Sequence, residues 1–285
     1  MKYLSLSEQD QQLLLHLHNH IYLSRDFIDK YIYTDEHEVT VYRRLGKLAK
    51  AGYIATFSVP IKAGSGRPSN IYTLAKLGVD TVEQMTGVVR WQDKWSYQPP
   101  VWYMHTLNLA EVVKSFETRA HEKGLVVKEF ISEAKGHFKY KEKKDIASKQ
   151  AENHVIRPDG ILVLGPPDRD ENWGIMLEME RSYADRSATI RKINQYEHLF
   201  DDSNEEKYAK RMKEFDQKVG FEHPVSEWMI LFIGDNGSMG KRILRQLKDT
   251  PCETTVLVAA KEDLLNDPFG EVYRSLDAPN VPTKL

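Results

Sequence analysis

At 285 residues the chain is long for one domain at roughly 150 residues apiece, so two domains are expected. Hydrophobic residues make up 41% of it, which excludes a disordered composition, and no apolar run nears the ~20 residues of a membrane span. The lone cysteine, Cys252, excludes a disulfide framework or a cysteine zinc cluster. The N-terminal MKYLSLSEQDQQ has no signal-peptide character, and a cytoplasmic protein without a membrane partner is expected.

The net charge of −2 says little, but its distribution says more. From Val39 to Val79 there is no Asp or Glu, against Arg43, Arg44, Lys47, Lys50, Lys62, Arg67 and Lys76. Segregation of this kind is the electrostatic footprint of a nucleic-acid surface.

Ser7 predicts the N-cap of a first helix, EQDQQLLLHLHNH, with Leu13, Leu14 and Leu17 at helical spacing. His16 and His20 share a face there without a carboxylate beside them, so His16, His18 and His20 are read as surface or interface residues, not metal ligands. A second short helix follows Ser24. The third, HEVTVYRRLGKLAKAGYI, buries Val41, Leu45 and Leu48 and stops at Gly52. Thr40, Tyr42, Arg43 and Lys47 are left on its outer faces, with Arg44 flanking the seam. Two extended segments, YIATFSVPI and SNIYTL, are joined by the glycine-rich, basic KAGSGRP. Three helices and a basic hairpin make a winged helix-turn-helix pattern, whose third helix enters a major groove with Thr40, Tyr42, Arg43, Arg44 and Lys47 as its expected DNA contacts while Lys62 and Arg67 reach phosphates. Each basic residue taken alone also fits an ordinary solvated face.

GVVRWQDKWSYQPPVW breaks the periodicity and reads as a linker whose Trp91, Trp95 and Trp102 pack on a domain or on a second copy. The expected division is 1–88 for the winged helix, 89–102 for the linker, 103–276 for an α/β domain with a mixed central sheet, and 277–285 for a flexible tail. Within the second domain an amphipathic helix over LNLAEVVKSFETRAHEK precedes the strand LVVKEFI and a polar, lysine-rich stretch. The strands ILVL and WGIMLEM follow, then the helix ATIRKINQYEHLF and a polar helical stretch over 201–219. EWMILFI, the helix MGKRILRQLKD and the closing strand TTVLVAA complete an α/β layered fold, α+β over the whole chain. FIGDNGSMGKR mimics a phosphate loop, but five residues separate Gly234 from Gly240-Lys241 instead of four, and Arg242 stands where Ser or Thr would hold magnesium. It predicts a plain strand-to-helix turn, with Lys241 and Arg242 near a phosphate as the most it offers. Glu133-x-Lys135 in SEAKG precedes Asp159 and falls outside the order in which acids would assemble.

In WGIMLEMERS, Ile175, Leu177 and Met179 alternate with Met176, Glu178 and Glu180, giving one apolar face and one with two carboxylates. Asp159 opens the preceding strand, and Glu111 on the first helix of the domain is a further acid. Magnesium takes one or two such carboxylates, so Asp159 and Glu178 are the ligands if a metal binds at all. A metal site, a solvated face and an ion-pair network with Arg181 or Arg191 all stay open.

RPDGILVL, MLEMERS and IRKINQYEHLF, with the N-terminal VYRRLGKLAKAGYI and IYTLAKLG, resemble the replication-relaxation family of plasmids and mobile elements. The resemblance covers most of the chain and implies a winged helix joined to a degenerate PD-(D/E)xK nuclease-like domain. It implies Glu111, Asp159 and Glu178 as the acids, but Glu180 stands where that pattern has a lysine. A migrated lysine is available in Lys192, one turn before Tyr196 on the next helix. The expected function is sequence-specific double-stranded DNA binding that controls replication or transcription of a plasmid, phage or other mobile element, by a homodimer. A magnesium-dependent nuclease and a module binding a replication or regulatory protein are the alternatives; without nuclease activity no cofactor is needed.

Overall fold

In the computed structural model the described residues are 4–59, 69–100, 103–143, 151–180 and 185–285. They divide into two compact units, Met1–Glu111 and Val112–Leu285.

The first unit begins with α1 (Glu8–His20), whose start is set by a capping box between Ser7 and Asp10. β1 (Leu23–Ser24) leads into α2 (Arg25–Tyr31), where the Ser24 hydroxyl accepts from the Phe27 N–H at 3.1 Å. α3 (Glu38–Ala51) ends at Gly52, whose φ of +85° is a left-handed conformation that favours glycine. β2 (Ile54–Val59) and β3 (Ser69–Leu74) pair antiparallel, and β1 adds to β3, giving the order β1-β3-β2. α4 (Lys76–Thr86) follows. Leu13, Leu14, Leu17, Val41, Leu45 and Leu48 meet in one core, the apolar stripes expected of the first and third helices. His20 departs from its expected surface position: it is buried, 6.1 Å from the Phe27 ring. After a 3-10 turn at Asp93–Ser96, Trp95 is buried and meets Trp91 edge-on at 5.0 Å, and the Tyr22 hydroxyl donates to the Trp95 carbonyl at 3.0 Å. Trp102 lies outside the described residues.

α5 (Tyr103–Arg119) carries the chain into the second unit, where Val112, Val113 and Phe116 are fully buried. There β4 (Val126–Ser132), the short α6 (Glu133–Gly136), β5 (Phe138–Lys143), β6 (Ala151–Ile156), β7 (Gly160–Gly165) and β8 (Trp173–Glu180) follow in order. α7 (Arg186–Phe200), α8 (Glu205–Val219), β9 (Glu227–Gly234), α9 (Gly237–Leu247), β10 (Thr255–Ala260), α10 (Lys261–Asn266) and β11 (Arg274–Ser275) complete the chain. The central sheet is mixed, in the order β11-β10-β9-β8-β7-β4, with β8, β9 and β10 parallel.

Three features differ from expectation. The lysine-rich stretch holds two strands, β5 and β6, which form a separate antiparallel pair that buries Phe138 and Tyr140 while Lys139 and Lys141 face solvent. β10 does not close the sheet, because β11 pairs along it. Where a flexible tail is expected, Tyr273 and Thr283 exchange backbone bonds of 3.2 and 3.0 Å.

Residues from α7, α8 and α9 pack with Ile161, Met176, Ile230, Phe232 and Val258 in one apolar cluster. That packing covers the carboxylate-bearing face of β8, on which Met176 lies, and the apolar face is buried too, so every residue from Gly174 to Glu180 is buried. A sheet with parallel strands ordinarily has both faces covered in this way.

Candidate functional site

Two groups of charged residues have positions the sequence singled out. On α3 the buried stripe fixes what points outward: Val39, Thr40, Tyr42, Arg43, Gly46 and Lys47 are exposed, Tyr42 by 63%. Among the described residues the side chains of Arg43 and Lys47 join no ion pair or hydrogen bond. Arg44, one residue along and expected among the DNA contacts, instead has its guanidinium bonded within the domain. Its Nε donates to Asp10 Oδ1 at 2.9 Å and its guanidinium also bonds the Ser5 carbonyl at 2.6 Å. Burial raises the Asp10 pKa, but the bonds from Arg44, Tyr33 and Ser7 outweigh it and hold the carboxyl below its ordinary value. Arg44 therefore fastens α3 to α1. Lys62 and Arg67, expected to reach phosphates from the wing, lie outside the described residues, as does Arg181.

The second group lies in the second unit. Glu178 and Glu180 share one face of β8, and α7 lays Lys192 and Tyr196 over them. Lys192 Nζ donates to Glu178 at 2.6 Å and to Glu180 at 3.3 Å, and the Tyr196 hydroxyl donates to the other Glu178 oxygen. Asp159 enters from the turn before β7, where the Met179 N–H donates to its carboxylate at 2.7 Å and its own N–H bonds the Leu177 carbonyl at 3.0 Å. Asp159, Glu178, Glu180 and Lys192 thus meet as the sequence order suggested. Glu111 falls on α5 as the last residue of the first unit, half-buried.

Glu133, which falls outside the order expected of the acids, nonetheless belongs to this neighbourhood. Its N–H donates to the Asp159 carbonyl at 3.1 Å, and burial, opposed by Arg157 and reinforced by Glu178, raises its pKa. The Glu133-x-Lys135 spacing was the available signal; what hid it was that an antiparallel β4–β7 pair brings Ser132 opposite Gly160.

Desolvation sets the electrostatics. Burial pushes Glu178 up to about 7 against the pull of Lys192, and Asp159 up to about 6 for the same reasons. Lys192 is raised because the attraction of Glu178, Asp159 and Glu180 outweighs its own burial. A cleft of about 550 Å³ opens above the cluster, with Glu178, Lys192 and Tyr196 in its lining and Lys139, Arg157 and Arg191 among its cations.

Magnesium, which a nuclease-like domain would use, would have to share donors that are already engaged. Both Glu178 oxygens and one Asp159 oxygen already accept protein hydrogen bonds. Among the described residues no group of three or more His, Cys, Asp or Glu is arranged to hold a metal ion. The glycine-rich turn after β9 is likewise closed to a phosphate, because the Asn236 side chain accepts from the N–H groups of Ser238 and Met239 at 3.1 Å each. That is the strand-to-helix turn the spacing predicted.

A family model described as Replication-relaxation matches residues 14–214. No curated protein matches the chain. Among solved structures, one of restriction endonuclease FokI is 15% identical with a TM-score of 0.31, and covers 93% of this chain and 45% of that one. A second, of FokI bound to DNA, is 13% identical with a TM-score of 0.28, covering 93% and 46%. The chain spans under half the length of either. Among the described residues no helix is long and apolar enough to cross a membrane.

Proposed function

The chain belongs to the replication-relaxation family, and from that premise we propose that it is a sequence-specific double-stranded DNA-binding protein controlling replication or transcription of a plasmid, phage or other mobile element. The observation that carries this reading is the outer face of α3. Thr40, Tyr42, Arg43 and Lys47 stand exposed there on a helix whose other side is locked into the core. In our reading residues 1–88 act as a winged helix, with α3 in the major groove and Lys62 and Arg67 at backbone phosphates. Residues 89–102 link it to a nuclease-like domain over 103–276. Two copies bind paired half-sites as a homodimer, and the second domain supplies assembly, partner or further DNA contacts.

Selection of duplexes from a randomised pool, followed by gel shift, tests the proposal. We expect an enriched sequence bound by the wild type and lost, by tenfold or more, in Arg43→Ala/Lys47→Ala. Equal affinity of the folded variant would rule out docking through α3.

A second reading, a magnesium-dependent nuclease, is favoured by one observation: Lys192 reaches the carboxylates from α7 as a migrated lysine would. Against it, Glu180 adds negative charge where the nuclease pattern has a cation. Nicking of supercoiled DNA in Mg²⁺ or Mn²⁺ that disappears in Asp159→Ala would establish it. We expect no nicking above that variant.

A further inference from the structure

β9 and β10 are parallel and end together, Gly234 opposite Ala260. In α/β folds the crevice beyond the carboxyl ends of such strands is a common ligand position. Here a cleft of about 800 Å³ opens between α9, the end of β10 and the segment around residues 271–280. That volume is within the usual range for small-molecule sites.

Its lining has two characters. Leu244, Val258, Ala259 and Val272 give an apolar floor. Lys241 and Arg245 on α9 and Lys248, the C-cap just past its end, lie at i, i+4 and i+7, so they form one exposed row along the rim, and Arg274 on β11 also lines the cleft. Two carboxylates, Asp263 and Glu271, also line it, but Glu271 is engaged by Lys284 at 3.6 Å. The charge balance therefore favours an anion, and the floor favours a planar apolar group attached to it. Because Asn236 already occupies the start of α9, the anion must be held by these side chains and not by the helix terminus.

We propose that this cleft binds a nucleoside phosphate, with the base on the apolar floor and the phosphates along Lys241, Arg245 and Lys248. The nucleotide is either free or the terminal unit of a single strand, and this site is independent of the duplex-binding face on α3.

Calorimetric titration of the full chain with ADP, adenosine and a 5′-phosphorylated single-stranded octadeoxynucleotide tests this. ADP or the octamer should bind at least tenfold more tightly than adenosine. Lys241→Glu/Arg245→Glu should abolish that binding, while Arg43→Ala/Lys47→Ala should leave it unchanged. Tighter binding of ADP identifies a free nucleotide; tighter binding of the octamer identifies a strand end. Lys248→Glu, a third exposed position, serves as the readout if the double variant does not fold. No binding of ADP or octamer, or binding that survives the charge reversals in a folded variant, would overturn the proposal.

Discussion

Arg43 and Lys192 are both cations on helices, yet the structure gives them opposite surroundings. Arg43 projects from α3 with no ion-pair partner among the described residues, whereas Lys192 turns inward and is held by Glu178 and Glu180. An outward cation keeps its charge available for a phosphate from outside. An inward one spends its charge on carboxylates that burial has made costly. Arg44 makes the same contrast within a single turn of α3, since its guanidinium is committed to the fully buried Asp10. Charge alone therefore does not mark a binding residue; the partner already in place decides.

The comparison can be broken most forcefully at Lys192. Replacing it with Ala leaves Glu178 buried beside Glu180 without a cation, and should destabilise the protein by about 3 kcal/mol. That is the low end for a buried pair, because 34% of the lysine side chain faces solvent. Urea unfolding measures it, and a loss no larger than for an exposed lysine would show that the cluster does not depend on the pair. Arg44→Ala should cost about 2 kcal/mol by stranding Asp10, whereas Arg43→Ala should change stability by less than about 0.5 kcal/mol. Equal costs at the two neighbours would erase the distinction drawn between them.

A smaller effect carries a definite sign. Glu178 has its pKa raised by burial to about 7 from 4.5, so its contribution to stability is complete below about pH 4.5 and is lost as pH rises through about 7. Glu178→Gln removes that titration. Measured by unfolding at pH 5 and pH 8, the variant should gain on the wild type as pH rises. A difference that stays flat, or moves the other way, would mean that Glu178 titrates normally.

How much of this the sequence disclosed depended on the range of the interaction. The core stripe of α3, its stop at Gly52 and the alternation of β8 are local periodicities, and they are in the structure where the spacing put them. The meeting of Asp159, Glu178, Glu180 and Lys192 was legible because adjacent strands and a following helix leave few alternatives. The partner of Arg44 was not, since Asp10 lies 34 residues away on another helix. β5 and β6 escaped because lysines on the solvent face of FKYKEK masked the inward alternation of Phe138 and Tyr140. The burial of the carboxylate face of β8 depended on helices packing over it, a tertiary fact that no strand pattern contains.

The most direct test of the central contrast is the salt dependence of duplex binding, compared between Arg43→Ala/Lys47→Ala and Arg44→Ala at temperatures where both are folded. Removing a cation that neutralises one phosphate lowers the slope of log K against log salt by about 0.9. With Arg43 and Lys47, carried into the groove on α3, each also neutralising a phosphate at the groove edge, the double variant should show a slope shallower by about 2, while Arg44→Ala keeps the wild-type slope. An unchanged slope in the double variant, or an equal decrease in Arg44→Ala, would contradict the account.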